Sequence, residues 1–138
     1  MGSTTPSATP RKSSLYRAIE SRGVELLSIA LVLPRNQVFQ SLIAIMVQAN
    51  NDELTACNRA LYTHDPSLKL SWIDEMIVHE AEIASNFHTW YELSRREAIA
   101  SHPISEQRHA ALLKEFVRIG NEIGLWRRSV VSNHKPNS

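Results

Sequence analysis

Apolar residues recur along this chain in steps of three and four, the spacing of a helix face. Tyr16, Ile19, Gly23, Leu26, Ala30 and Leu33 lay one stripe along a first helix over 15–33, which Pro34 stops. Asn36 is the predicted N-cap of a second helix, in which Ile43, Val47, Asn50, Leu54, Cys57 and Leu61 repeat the spacing through about residue 62. The polar triplet Asn50–Asn51–Asp52 predicts a bend in it. THDPS, residues 63–67, reads as a turn, after which Ile73, Met76, Glu80, Ile83, Phe87 and Trp90 trace a third face up to roughly Ile99, interrupted by Glu80. His102–Pro103 ends that helix, and Ser105 caps a fourth that runs to about Val130. Nothing alternates with the period of a strand. The pattern predicts an all-α, antiparallel up-down four-helix bundle over 15–131, with disordered polar tails at 1–14 and 132–138.

The fourth helix is wider in apolar surface than a bundle core needs. Leu112, Phe116, Ile119, Ile123, Trp126 and Val130 form one stripe, and Leu113, Val117, Gly120, Gly124 and Val131 a neighbouring one. At about 100° per residue the two together cover roughly half the circumference. The glycines stand four apart inside the helix, where each costs about 1 kcal/mol relative to alanine. Small residues at that spacing form a notch, and close packing in it can offset the cost. Gly120, Gly124 and Trp126 therefore mark a helix-packing or oligomer contact, made either inside the monomer or between subunits.

Composition narrows the setting. A chain of 138 residues, 43% hydrophobic and 21% charged, fits one domain with a modest core. Cys57 is alone, and the most apolar run, Val24 to Leu33, is short and contains Glu25, so a reducing, cytoplasmic location without membrane association is expected. Pro6 occupies the position where N-myristoylation of Gly2 prefers Ser or Thr. The net charge of +1 conceals an uneven distribution. No Lys or Arg falls between Lys69 and Arg95, where Asp74, Glu75, Glu80, Glu82 and Glu92 lie. Arg11, Lys12, Arg17 and Arg22 make the start basic, and Arg108, Lys114, Arg118, Arg127, Arg128 and Lys135 do the same for the end.

Catalytic and metal patterns are sparse. Di-iron bundles need two Glu-x-x-His motifs, and Glu106-Gln-Arg-His109 is the single one here. His79 and Glu80 point about 100° apart on a helix and do not share a site easily. No nucleophile constellation, P-loop or dinucleotide turn is present, so no catalytic residue, metal or cofactor is assigned. Binding is what remains. Lys114, Arg118, Asn121 and Arg128 align on the polar side of the fourth helix, and Arg95 and Arg96 add cations at the end of the third, a pattern suited to phosphates. Arg108 and Arg127 complete the predicted nucleic-acid-binding set.

The run ISEQRHAALLKEFVRIGNEIGLWRRSV, residues 104–130, resembles the last helix of the accessory variability determinant of diversity-generating retroelements. That helix starts at Ser or Thr and ends in a glycine, three residues, a second glycine and a nearby tryptophan among basic residues, matched here by Gly120, Gly124 and Trp126. The Leu33–Pro34–Arg35 turn is similar to the family's proline–arginine turn, and the likeness extends over about residues 15–131. Four-helix proteins encoded in ribosomal intervening sequences share the fold. The resemblance implies a barrel-like homopentamer that performs no chemistry. It implies binding of template RNA, and of DNA in some settings, together with docking of a reverse transcriptase that copies the template into mutagenised cDNA. In place of the family's Arg-aromatic run in the third helix this chain has FHTWYEL, with His88 and Glu92, and Arg95 and Arg96 follow one turn on. A protein-interaction bundle without nucleic-acid binding is the rival reading, to be preferred if acidic residues break up the basic surface.

Overall fold

The computed structural model describes residues 8–32, 37–97 and 104–134. Four helices account for nearly all of them: α1 (Ala8–Val32), α2 (Gln37–Tyr62), α3 (Pro66–Glu97) and α4 (Glu106–His134), with no strand among the described residues. α1 packs on α2, α2 on α3, α3 on α4, and α4 returns to α1, while the backbones of diagonal helices do not approach each other and meet only through side chains. The chain is an all-helical four-helix bundle. No helix among the described residues is long and apolar enough to cross a membrane.

Local chemistry sets the helix starts that are visible. Asp65 Oδ2 accepts the Leu68 N–H at 3.0 Å and Pro66 opens the first turn of α3, where a missing N–H costs nothing. Ser105 caps α4 as its sequence predicts, its Oγ accepting the Arg108 N–H at 3.1 Å. Other predicted boundaries shift outward. α1 begins at Ala8 rather than at 15, and α4 continues through residues 132–134. Periodicity marks where a helix packs, whereas polar turns can extend it beyond the packed part; Pro10 is compatible because it falls in the first turn of α1. α2 runs unbroken through Asn50–Asn51–Asp52, so these residues do not end it. The Leu33–Pro34–Arg35 turn, the Asn36 cap, Ile99 and His102–Pro103 lie outside the described residues.

Two apolar clusters fill the interior. One joins Leu26 and Ile29 of α1 to Phe39, Ile43 and Met46 of α2, Ile83, Phe87 and Trp90 of α3, and Leu112 and Phe116 of α4. The other joins Leu15 and Ile19 to Ala56, Cys57 and Ala60, Ile73 and Met76, and Ile119, Ile123 and Trp126. Burying side chains of this size contributes about 1.5–3 kcal/mol each, which makes these clusters the main source of stability. Trp126 belongs to the second cluster, so it serves the chain's own core rather than a partner.

Candidate functional site: the α3–α4 groove and its basic edges

The first predicted α4 stripe is core: Leu112, Phe116, Ile119, Ile123 and Trp126 are all buried. The second stripe is not. Leu113 is 44% exposed, Val117 63%, and Gly120 is exposed. A Cβ added at Gly120 or Gly124 would meet nothing within 4 Å. The notch is therefore not a tight contact within this chain, and the glycine cost has no intramolecular offset. Gly120 instead lines a groove of about 360 Å³ against α3, walled by Ile77, Ala81 and Ala84 and floored by Phe116, Ile123 and Glu80. The groove exists because Gly120 and the two alanines supply too little side chain to close it. Between the same helices lies a wider hollow of about 680 Å³ that includes Leu113, His88, Glu92 and Arg95. There His109 stacks on Tyr91 at 3.5 Å between ring centroids, with Phe87 at 5.4 Å on a parallel plane.

Glu80, the residue that interrupts the α3 stripe, has a reason to sit there. Arg22 of α1 is 1% exposed and reaches three partners. Its Nη1 donates to both oxygens of Glu80 at 2.8 and 2.7 Å, its Nη2 to Glu53 Oε1 at 3.1 Å, and its Nε to Asn50 Oδ1 at 2.8 Å. Asn50 Nδ2 in turn donates to the Ile19 carbonyl at 3.0 Å, and the Phe116 ring covers the guanidinium at 5.0 Å. Gly23 makes room for this: a Cβ there would lie 2.7 Å from Asn50 Nδ2. Two carboxylates on one buried cation would leave an uncompensated charge, and the protein avoids it by protonation. Burial, and next the Glu80 carboxylate, push the Glu53 carboxyl up to about 9 against the pull of Arg22. At neutral pH the cluster is thus a neutral acid beside one balanced ion pair, which is how buried charge is tolerated.

This cluster was not foreseen from the sequence. Arg22 counts there as part of a basic terminus, Asn50 as a position on the second helix's stripe and part of a bend, and Glu53 not at all. The signal was the charged residue inside the α3 stripe, which calls for an opposite charge at core depth on another helix.

The predicted basic residues divide into two groups. Arg108 donates to Glu25 at 2.7 Å and to Ser28 Oγ, Arg127 to Asp74 at 2.7 Å, and Arg118 pairs with Glu115 at 3.4 Å. Arg95 lies 3.8 Å from Glu92 and 5.9 Å from the Tyr91 ring. The acids of the middle stretch therefore meet the cations of the ends, because α3 packs beside α4 and Glu25 of α1 reaches the start of α4. Arg96, Lys114 and Arg128 are exposed and take part in none of the ion pairs among the described residues. Arg108 and Arg127 are held by pairs to another helix, and Arg95 and Arg118 by pairs within their own helices. Such exposed pairs are worth about 0.3–0.5 kcal/mol, too little to keep either side chain from a phosphate. Among the described residues no group of three or more His, Cys, Asp and Glu side chains could hold a metal ion.

Comparison of the chain with known protein families, curated proteins and solved structures finds no match.

Proposed function

We propose that this chain is a non-catalytic accessory protein of a diversity-generating retroelement, which self-associates and binds template RNA for a reverse transcriptase. The observation that carries the reading is the exposed second stripe of α4. Leu113, Val117 and Gly120 leave an apolar groove open beside α3, and a second copy would cover it. The two core clusters support an antiparallel up-down order, since each joins the end of one helix to the start of the next. A homopentamer is the assembly that the family resemblance suggests. Arg96, Lys114 and Arg128, with Arg95 and Arg118, are the cations offered to RNA, and repetition around an assembly multiplies them.

Binding of structured RNA at two salt concentrations tests this. The triple variant Arg96→Glu, Lys114→Glu, Arg128→Glu should lose most affinity, and its slope of log K against log salt should fall by about one per lost phosphate contact. RNA binding by the triple variant equal to the parent's overturns the nucleic-acid reading. The ion pairs of Arg108 and Arg127 favour the rival, a bundle that only assembles with proteins. A parent that assembles yet shows no salt-sensitive RNA binding would establish that rival.

A further inference from the structure

Two patterns of the sequence meet at the larger hollow between α3 and α4: FHTWYEL, and the single Glu-x-x-His of the chain. Phe87, His88, Tyr91 and Glu92 come from the first, Glu106 and His109 from the second, and they line a volume of about 680 Å³, within the range of sites for small ligands. Its floor is aromatic. Phe87 and Tyr91 are buried, and both rings lie 13° from the plane of His109, so three rings share one orientation. A further flat ring laid parallel to them would extend the stack. Ala84, Ala110, Leu113 and Val117 are exposed at its edges, which leaves it open to solvent.

Its mouth carries both signs of charge. Glu92 and Glu106 accept hydrogen bonds there, and Arg95 donates them. Arg95 and Glu92 stand 3.8 Å apart, too far for a hydrogen bond, so each keeps its capacity for a ligand. An aliphatic occupant would cover both carboxylates and supply no donor, which is costly; a plain aromatic acid would suit Arg95 and be repelled by the glutamates. A flat ring with N–H donors on its edge and an anion on a flexible tether satisfies every group. That is the chemistry of a nucleotide. The surrounding cations agree with it: Arg96 follows Arg95 on α3, and Lys114 and Arg118 follow Leu113 and Val117 on α4, all exposed, so the phosphates of neighbouring nucleotides find partners beside the same mouth.

We propose that this hollow is a nucleotide site: the base lies against the floor of Phe87, Tyr91 and His109, its N–H edge donates to Glu92 and Glu106, and its phosphate meets Arg95. A free nucleotide and an unpaired nucleotide of an RNA strand share this chemistry. The second case rests on the RNA reading above, and adds that the strand is held by a base as well as by its phosphates. A base within a duplex has its edge and faces already engaged and does not enter.

Two variants that fill the hollow test this. Ala84→Phe does so from α3 and Ala110→Phe from α4, both at exposed positions and without removing a charge. Circular dichroism with thermal melting checks that each remains folded. Calorimetry with AMP, GMP, CMP and UMP, and fluorescence anisotropy with a short labelled RNA, single-stranded or annealed to its complement, read binding. Each variant should lose about tenfold in affinity or more for the probe that occupies the hollow, as loss of one stacked base requires, and duplex binding should be unchanged. Loss for the monophosphates identifies a free nucleotide as occupant, and loss for the single strand alone identifies RNA. If both folded variants bind every probe as the parent does, the site is overturned, and the RNA reading is decided separately by the charge variant above. Tryptophan also joins a ring to both charges, and a parent that binds it more tightly than any of these probes would likewise overturn the nucleotide assignment. Hollow-dependent binding of a monophosphate by a parent that binds no RNA would overturn the RNA reading and uphold the site; a parent that binds no probe overturns both.

Discussion

Glu53→Gln should leave the protein as stable as the parent near pH 4.5 and make it progressively more stable than the parent at neutral and alkaline pH. The neutral Glu53 carboxyl accepts from Arg22 through Oε1 at 3.1 Å, while its Oε2 is sealed from water and receives no donor. A glutamine reproduces that arrangement, with a carbonyl toward Arg22 and an amide N–H where the acid carries its proton. The sign of the pH effect follows from the raised value of about 9 against an ordinary 4.5. Between these two values the folded parent holds a proton that the unfolded chain has released. Its stability is therefore complete below about pH 4.5 and declines as pH rises toward 9. The expected slope across that window is about 1.4 kcal/mol per pH unit for one proton. Urea unfolding followed by circular dichroism at pH 6, 7, 8 and 9, at one protein concentration, measures it. The parent should weaken steadily over this series, and the variant should lose this component of the slope. A parent with flat stability from pH 6 to 9, or a variant that loses more than about 2 kcal/mol at pH 7, as an unpaired buried charge would cost, would refute the assignment of the proton to Glu53.

Three further outcomes follow from the same geometry. Gly23→Ala gains about 1 kcal/mol of helix propensity but displaces Asn50 from two buried hydrogen bonds worth about 1.5 kcal/mol each; a net loss of about 2 kcal/mol in urea unfolding is expected, and any gain would contradict the contact. Gly120→Ala, in a position with open space, should stabilise the chain by about 1 kcal/mol, read as a higher melting temperature. Cys57 is buried, and burial first and the Glu53 charge second push its thiol up to about 12; native protein at pH 8 should react with a thiol reagent only as fast as it unfolds, and labelling at the rate of free cysteine would show the site to be open.

The fold was largely legible because helix spacing is a local property. In α4 the five residues from Leu112 to Trp126 of the predicted core stripe are buried, and Val130 is partly so. The neighbouring stripe remains outside the core. α1 and α2 were read less accurately. Phe39, Met46 and Glu53 are buried, whereas the predicted Val47, Leu54 and Leu61 are only partly so, a displacement of about one position around α2. Cys57 and Ile43 belong to either version of the stripe, so periodicity could not separate them. The polar cluster was illegible for a different reason. Arg22, Asn50, Glu53 and Glu80 come from three helices, and a pattern read along one helix carries no information about which charge on another helix opposes it. The pairing of the basic residues was hidden for the same reason: Arg108 and Arg127 stand alone in sequence until Glu25 and Asp74 are brought beside them by packing.

The Arg22 cluster lies at mid-length, between the two apolar clusters, and this position limits how the helices can slide. Greasy side chains tolerate a neighbour displaced along its axis, because one leucine packs much like the next. A guanidinium that must meet an amide, an acid and a carboxylate on two other helices does not. Sliding α1 by a single turn, about 5.4 Å, would strand all four polar groups in a dry interior. The cluster thus acts as a key that sets the axial alignment of α1 against α2 and α3.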